Sequence, residues 1–204
     1  MTGYAGAAVL VFLAYLIGAL PFGLLIGRLA GGVDLREHGS GRTGATNALR
    51  TVGLAGAVLT FLLDLGKGVV AILLVSWLYE AGPPRPTAAA GIAAVAGHIR
   101  SVFIGFRGGR GVATFTGAML ATAPWAVAIL VPFVAVIVWR TRFVSLGSLV
   151  GVILAPFVTA GLVVLGQARW EGVVLALVAA AMVTVAHRDN IARLRAGTER
   201  RIGQ

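Results

Sequence analysis

Between two strongly apolar stretches the chain carries Phe106-Arg-Gly-Gly-Arg-Gly-Val-Ala-Thr114, a basic glycine loop. Glycines at 108, 109 and 111 can take positive φ angles, so successive amide hydrogens can converge on an anion. Arg107 and Arg110 add positive charge, and a helix beginning after Gly111 would turn its N-terminus toward the same guest. The chemistry this predicts is phosphate binding; the alternative is a charged interfacial turn that only fixes orientation in a membrane. A second segment, Gly39-Ser-Gly-Arg-Thr-Gly-Ala-Thr-Asn47, repeats the theme, with Gly41-Arg42-Thr43-Gly44-Ala45-Thr46 echoing Gly109 to Thr114. Two such loops could each hold one phosphate, which brings Thr46 and Asn47 among the candidates. A third segment, His187 to Glu199, has helical spacing that puts His187, Asn190 and Arg193 or Leu194 near one face. Imidazole and carboxamide there could bind or deprotonate a hydroxyl, or polarise a carbonyl.

The elements that must position these groups are membrane helices. Of 204 residues only 12% are charged, and mean hydropathy is +0.94, which excludes a soluble domain. The net charge of +10 sits in short clusters between apolar runs rather than along one soluble face. That pattern fits a bilayer, anionic lipid and phosphorylated substrates, and argues against nucleic acid as a partner. With no cysteine, thiol nucleophiles, disulfides and iron–sulfur clusters are excluded, and three histidines spread over the chain argue against a metal site.

Apolar runs extend over Tyr4 to Gly27, Thr51 to Tyr79, Thr87 to Phe106, Val112 to Trp139, Phe143 to Leu165 and Gly172 to Ala186. The first 27 residues lack Lys and Arg, so the first run is expected to remain as a transmembrane helix rather than a cleaved signal. Glu80 to Pro86, with Pro83, Pro84 and Pro86, should form a tight turn. Asp64 and Lys67 stand mid-membrane on one face of the second span and should neutralise each other. Six crossings would divide the sixteen arginines eight to eight across the membrane. Splitting Val112 to Trp139 near Ala123-Pro124 gives seven crossings and leaves only Arg85 and Arg169 opposite the other fourteen. The positive-inside rule therefore predicts an all-α polytopic protein, a single membrane-embedded domain over residues 1–204. Its N-terminus should lie outside, its C-terminus in the cytoplasm, and the three polar segments on the inner face.

Three motifs occur in order: Gly-Ser-Gly-x-x-Gly-Ala-Thr-Asn-x-x-Arg at 39–50, Gly-His with the Gly-Gly-basic-Gly-Val-Ala-Thr loop within 97–114, and His-x-x-Asn-Ile-x-Arg-Leu-x-x-Gly-x-Glu at 187–199. With Leu63-Asp64-Leu-Gly-Lys67-Gly68, they make essentially the whole chain resemble the bacterial acyl-phosphate:glycerol-3-phosphate acyltransferases of the inner membrane. The resemblance implies acyl transfer from acyl phosphate to the 1-hydroxyl of sn-glycerol 3-phosphate, giving lysophosphatidate without a cofactor. It implies functional parts for Ser40, Arg50, His187 and Asn190, glycerol phosphate binding at Gly108, Gly109 and Gly111, and a part for Glu199, whose carboxylate should brace the tail by pairing with an arginine. Asp64 and Lys67 read as structural support. The chain departs from the family pattern at Arg42, at Arg100-Ser101, where an aromatic-Pro pair is usual, and at Arg107 and Arg110, where lysines are common.

Neither a His-x-x-x-x-Asp dyad nor a Gly-x-Ser-x-Gly elbow occurs. Direct attack by the glycerol hydroxyl is expected, with His187 or a substrate phosphate taking the proton. The rival reading is a transporter of a phosphorylated small molecule, suggested by Asp64-Lys67 and the Pro124 break.

Overall fold

The computed structural model describes residues 3–80, 82 and 85–203, and every element of regular structure among them is helical. The helices are α1 (Gly3–Ala19), α2 (Phe22–Gly31), α3 (Ala45–Leu78), α4 (Thr87–Ile99), α5 (Val112–Thr122), α6 (Pro124–Thr141), α7 (Val144–Val164), α8 (Trp170–Ala186) and α9 (Arg188–Arg195), with a short 3₁₀ turn at Val102–Ile104. Pro83 and Pro84 of the expected tight turn lie outside the described residues. The chain divides into two compact units, Met1–Ala121 and Thr122–Gln204.

Five helical stretches are long and apolar enough to cross a membrane: Gly3–Gly31, Ala45–Leu78, Thr87–Ile104, Pro124–Thr141 and Val144–Val164. Trp170–Ala186 with Arg188–Arg195, bent by 62°, makes a sixth if counted as one span, whereas Val112–Thr122 is shorter. Large apolar side chains such as Phe12, Leu62, Trp77, Phe133, Val136 and Phe157 face outward, as a hydrocarbon solvent permits.

Three breaks shape these helices. The first apolar run is not one uninterrupted helix: Pro21 has no N–H to donate, and the helix is broken at Leu20 and Pro21 between α1 and α2. In α3, Gly53 (φ 80°, ψ −172°) interrupts the helix, setting the polar Ala45–Val52 turns apart from the membrane stretch. The break expected at Ala123-Pro124 is present, with α5 ending at Thr122 and Pro124 opening α6.

In the first unit, small residues let helices touch backbone to backbone. A Cβ on Gly18 or Gly97 would overlap the facing carbonyls of Ala94 and Tyr15, so α1 and α4 cross in direct contact. The same holds between α3 and α5, where Gly68 faces the Thr114 carbonyl and Gly117 that of Leu65. Leu10, Ala14, Ala71, Val75, Ala90 and Ala94 form the core between α1, α3 and α4. In the second unit α7 packs on α6, with Gly147 and Gly151 against Val134, and on α8, with Gly172 against Thr159.

Candidate functional site

The segment between α2 and α3 is held by one side chain. Asn47 is buried, and its Oδ1 accepts the Ser40 amide at 2.9 Å. Its Nδ2 faces the carbonyls of Leu35, His38 and Arg42 at 2.8, 3.0 and 2.9 Å. Gly39 (φ 60°) and Gly41 (φ 66°) take left-handed turns around it, and a side chain on Gly39 would strike Asn47 Oδ1. Asn47, expected among the phosphate ligands, thus spends its carboxamide inside the loop, and Ser40 is presented by it. Thr46 and Arg50, one turn apart at the start of α3, share a face, with Arg50 exposed. Arg42 contributes its backbone carbonyl to this frame, a part that any residue can play, so departure from the family pattern there leaves the frame intact. Asp34 accepts bonds from Arg36 at 2.6 and 2.9 Å and from Arg28 at 3.3 Å. The Arg36 hydrogen bonds hold its carboxyl well below the usual carboxylate range.

The glycine loop differs from the expected nest in two respects. Gly111 alone of its three glycines has positive φ (87°), joined by Gly105 (65°) and, against steric preference, Phe106 (61°). Gly108 and Gly109 donate their amides to Ile99 O at 3.2 Å and His98 O at 3.1 Å, so these two N–H groups are directed at the end of α4 rather than at a guest. They are glycines because space is lacking: a Cβ on Gly108 would overlap the His98 carbonyl, and one on Gly109 the His98 ring. The helix expected after Gly111 is α5, which begins at Val112, so its first-turn amides and dipole do face the loop. Arg107 is exposed and Arg110 half-buried.

Beneath the loop lies a buried polar chain. Lys67 Nζ contacts Asp64 Oδ1 at 2.7 Å and donates to Leu20 O at 3.0 Å, the carbonyl at the α1–α2 break. Lys67 also lies 5.8 Å from the Phe22 ring centroid. His98 Nδ1 is 3.5 Å from Asp64 Oδ1 and 3.2 Å from Thr114 Oγ1, whose hydroxyl donates to Asp64 O at 3.0 Å. The expected neutralisation of Asp64 by Lys67 is therefore present. What spacing did not reveal are the partners His98, Thr114 and the Leu20 carbonyl. Ser101, at a departure from the family pattern, is buried and donates to Ala19 O at 2.6 Å, while Tyr15 donates to Arg100 O at 2.7 Å.

In the second unit, α8 turns into α9 at His187, which is buried with Nδ1 2.8 Å from Val183 O. A carbonyl only accepts, so Nδ1 carries the proton and the lone pair of the neutral ring lies at Nε2. Glu199 is the hub of the tail. Its Oε1 accepts from Ser145 Oγ at 2.8 Å and Asn190 Nδ2 at 2.6 Å, and its Oε2 from Arg193 Nε at 2.8 Å. Burial raises the Glu199 pKa, but hydrogen bonds from Ser145, Asn190 and Arg193 outweigh it and hold the carboxyl below its ordinary value. The arginine partner expected for Glu199 is Arg193; Ser145, 54 residues away, carried no signal in the sequence. Among the described residues no three His, Cys, Asp or Glu side chains gather as a metal would require.

Glycine-mediated helix crossings, ionisable groups neutralised inside the helices and polar loops confined to helix ends are what an integral membrane protein handling anionic compounds needs. Its family is the glycerol-3-phosphate acyltransferases: the model of that family matches residues 8–197, and the chain belongs to it. Curated relatives called glycerol-3-phosphate acyltransferase include one from Parasynechococcus marenigrum, 45% identical over 97% of this chain and 91% of the relative. Another, from Halalkalibacterium halodurans, is 42% identical over 96% and 95%. The crystal structure of PlsY (YgiH), an integral membrane glycerol 3-phosphate acyltransferase, in its glycerol 3-phosphate form, superposes with TM-score 0.83 at 37% identity, covering 97% of this chain and 96% of that one. The lysophosphatidic acid form of PlsY matches with TM-score 0.82.

Proposed function

We propose that the protein transfers a fatty acyl group from acyl phosphate to the 1-hydroxyl of sn-glycerol 3-phosphate, releasing 1-acylglycerol 3-phosphate and inorganic phosphate at the cytoplasmic face of a bacterial inner membrane. The observation that carries this reading is the full-length likeness to PlsY, a protein solved in glycerol 3-phosphate and lysophosphatidic acid forms. The hydroxyl oxygen attacks the acyl carbonyl, the carbon–oxygen bond to phosphate breaks, and phosphate leaves with the bonding pair. Because a mixed anhydride has a good leaving group, positioning and charge stabilisation supply most of the catalysis. Arg107, Arg110, Gly111 and Thr46, with Gly108 and Gly109 shaping the loop, serve the substrate phosphates. Ser40 and Arg50 act beside them, Asn47 positions Ser40, and Asn190 orients a reacting group. His187 Nε2 or a substrate phosphate accepts the hydroxyl proton. Seven crossings, with the N-terminus outside, rest on the arginine distribution; α5, about 16 Å long at 1.5 Å per residue, would be the shortest.

Transport is the poorer account, because the Asp64 and Lys67 side chains that suggested it are engaged with each other, with His98 and with the carbonyl at the α1–α2 break. Purified protein in detergent, given acyl phosphate and labelled glycerol 3-phosphate, should release lysophosphatidate. Uptake into liposomes with no product would overturn the proposal. His187→Ala should lower kcat; near-normal turnover at saturating substrate would leave the proton to the substrate phosphate.

A further inference from the structure

The glycine loop is short and basic, yet it must hold one course. Two backbone hydrogen bonds tie it to the end of α4, at Gly108 and Gly109, and side chains of α4 abut it from below, His98 at Gly109 and Val95 with Ile99 at Gly111. The ring cannot swing away. Thr114 gives its one hydroxyl proton to Asp64 O, so toward the imidazole it can only accept. Nδ1 therefore carries a proton, shared between Thr114 Oγ1 at 3.2 Å and Asp64 Oδ1 at 3.5 Å. That fixes the ring plane and aims Nε2 at Gly109, where a Cβ would overlap it. Asp64 is in turn fixed by Lys67, and Lys67 by the carbonyl at the α1–α2 break. The chain Leu20–Lys67–Asp64–His98 thus runs from a helix break to the underside of the loop.

We propose that His98 is a positioning residue whose imidazole, locked by Asp64 and Thr114, sets the backbone path of Gly108 to Gly111. Its consequence for glycerol 3-phosphate rests on the function proposed above. A loop displaced by part of an ångström binds its anion poorly while the reacting groups elsewhere are unchanged, so KM rises more than kcat falls.

A compensating pair of substitutions tests this. His98→Asn keeps a donor near the position of Nδ1 but leaves the space beside Gly109 empty, whereas Gly109→Ala fills that space against the native ring. Each single variant should displace the loop, and the double variant should restore it, since the new methyl group occupies the vacated volume. Because the chain lacks cysteine, a nitroxide on Arg107→Cys reports loop mobility directly. Its spectrum should change in each single variant and return toward the parent in the double, with melting temperature monitored throughout. Parallel kinetics with the native Arg107 should show KM for glycerol 3-phosphate rising between about tenfold and a hundredfold in the singles and recovering in the double. If the double variant shows the sum of the two spectral changes, or the singles show none while remaining folded, the positioning role is refuted. If the spectra recover but KM never moved, the positioning role stands and the assignment of this loop to glycerol 3-phosphate is what fails.

Discussion

Replacing Glu199 isolates the part of the tail that depends on a single carboxylate. Its side chain is 6% exposed, and Arg193 beside it 37%. In Glu199→Ala, the Asn190 amide and the Ser145 hydroxyl, both belonging to buried residues, lose their acceptor, at about 1–3 kcal/mol each. Arg193 is exposed enough to be rehydrated and adds little. The loss is then roughly 2–6 kcal/mol, local to α9 and its connection to Ser145. Glu199→Gln keeps an oxygen where both Oε1 bonds are made and gives up the ion pair and hydrogen bond to Arg193, a half-exposed group that water can satisfy, so it should cost about 1 kcal/mol or less. Trypsin cleavage after Arg193 and Arg195, followed with the melting temperature in detergent, reads the local opening. It should be strongly accelerated in the alanine variant and little changed in the glutamine variant. The pH dependence has a definite sign: the folded-state pKa lies below the ordinary 4.5, so tail protection is complete above that value and is lost as pH falls through the lowered one. The glutamine variant should lack this acid-sensitive step. Equal damage from both substitutions would show that the charge pair, rather than the two buried donors, holds the tail, and would refute the reasoning.

Three further outcomes are expected. Gly68→Ala should destabilise by about 1–3 kcal/mol in detergent unfolding, because its methyl group would enter the Thr114 carbonyl; Gly66→Ala, with nothing within 4 Å, should be neutral or gain about 0.5–1 kcal/mol as a helix interior site. Lys67→Met leaves Asp64 buried without its cation and should cost about 3–5 kcal/mol, whereas the Asp64→Asn, Lys67→Met double variant should cost less than the sum of the singles in the same unfolding assay. Asn47→Ala removes the centre of the 35–42 loop and should raise trypsin cleavage after Arg42 severalfold, while Thr51→Ala, whose hydroxyl bonds only within its own helix, should not.

Much of the scaffold could be read from residue order because hydropathy and proline act locally. Pro124 announces a helix start, the apolar runs announce spans, and Asp64 with Lys67 three residues later announces a pair on one face. Pro21 carried the same local signal, but uncharged apolar residues flank it on both sides, so hydropathy alone joined α1 to α2. Glycine was visible as an element of the motifs, though not the reason for it. At 111 the cause is a positive φ, whereas at 108 and 109 it is the volume already taken by His98, a residue ten or eleven positions away. The hubs at Asn47 and Glu199 show the same limit. Asn47 could be recognised as belonging to a motif, but only the path of the loop shows that its carboxamide is turned inward.

Ser101 and the buried lysine answer one physical problem. Pro21 cannot continue the hydrogen-bond ladder of α1, so carbonyls at the end of that helix need other donors in a setting without water. Ser101 donates to Ala19 O, and Lys67 joins the Phe22 amide on Leu20 O. A lysine used in this way needs a counter-ion at the same depth, which explains Asp64 one turn earlier. Asp64 in turn has acceptor capacity beyond one cation, and His98 faces it with Nδ1 while its other edge meets the glycine loop. A serine at 101, where the resemblance leads one to expect proline, is therefore coherent here: it brings a hydroxyl donor to a carbonyl that a proline side chain could not satisfy. On this argument Ser101→Pro should destabilise this chain, and Ser101→Ala should do so by about 1–3 kcal/mol through the orphaned Ala19 carbonyl alone. Unfolding free energies of both variants equal to the parent would mean that the break in the first span is satisfied by Lys67 without help.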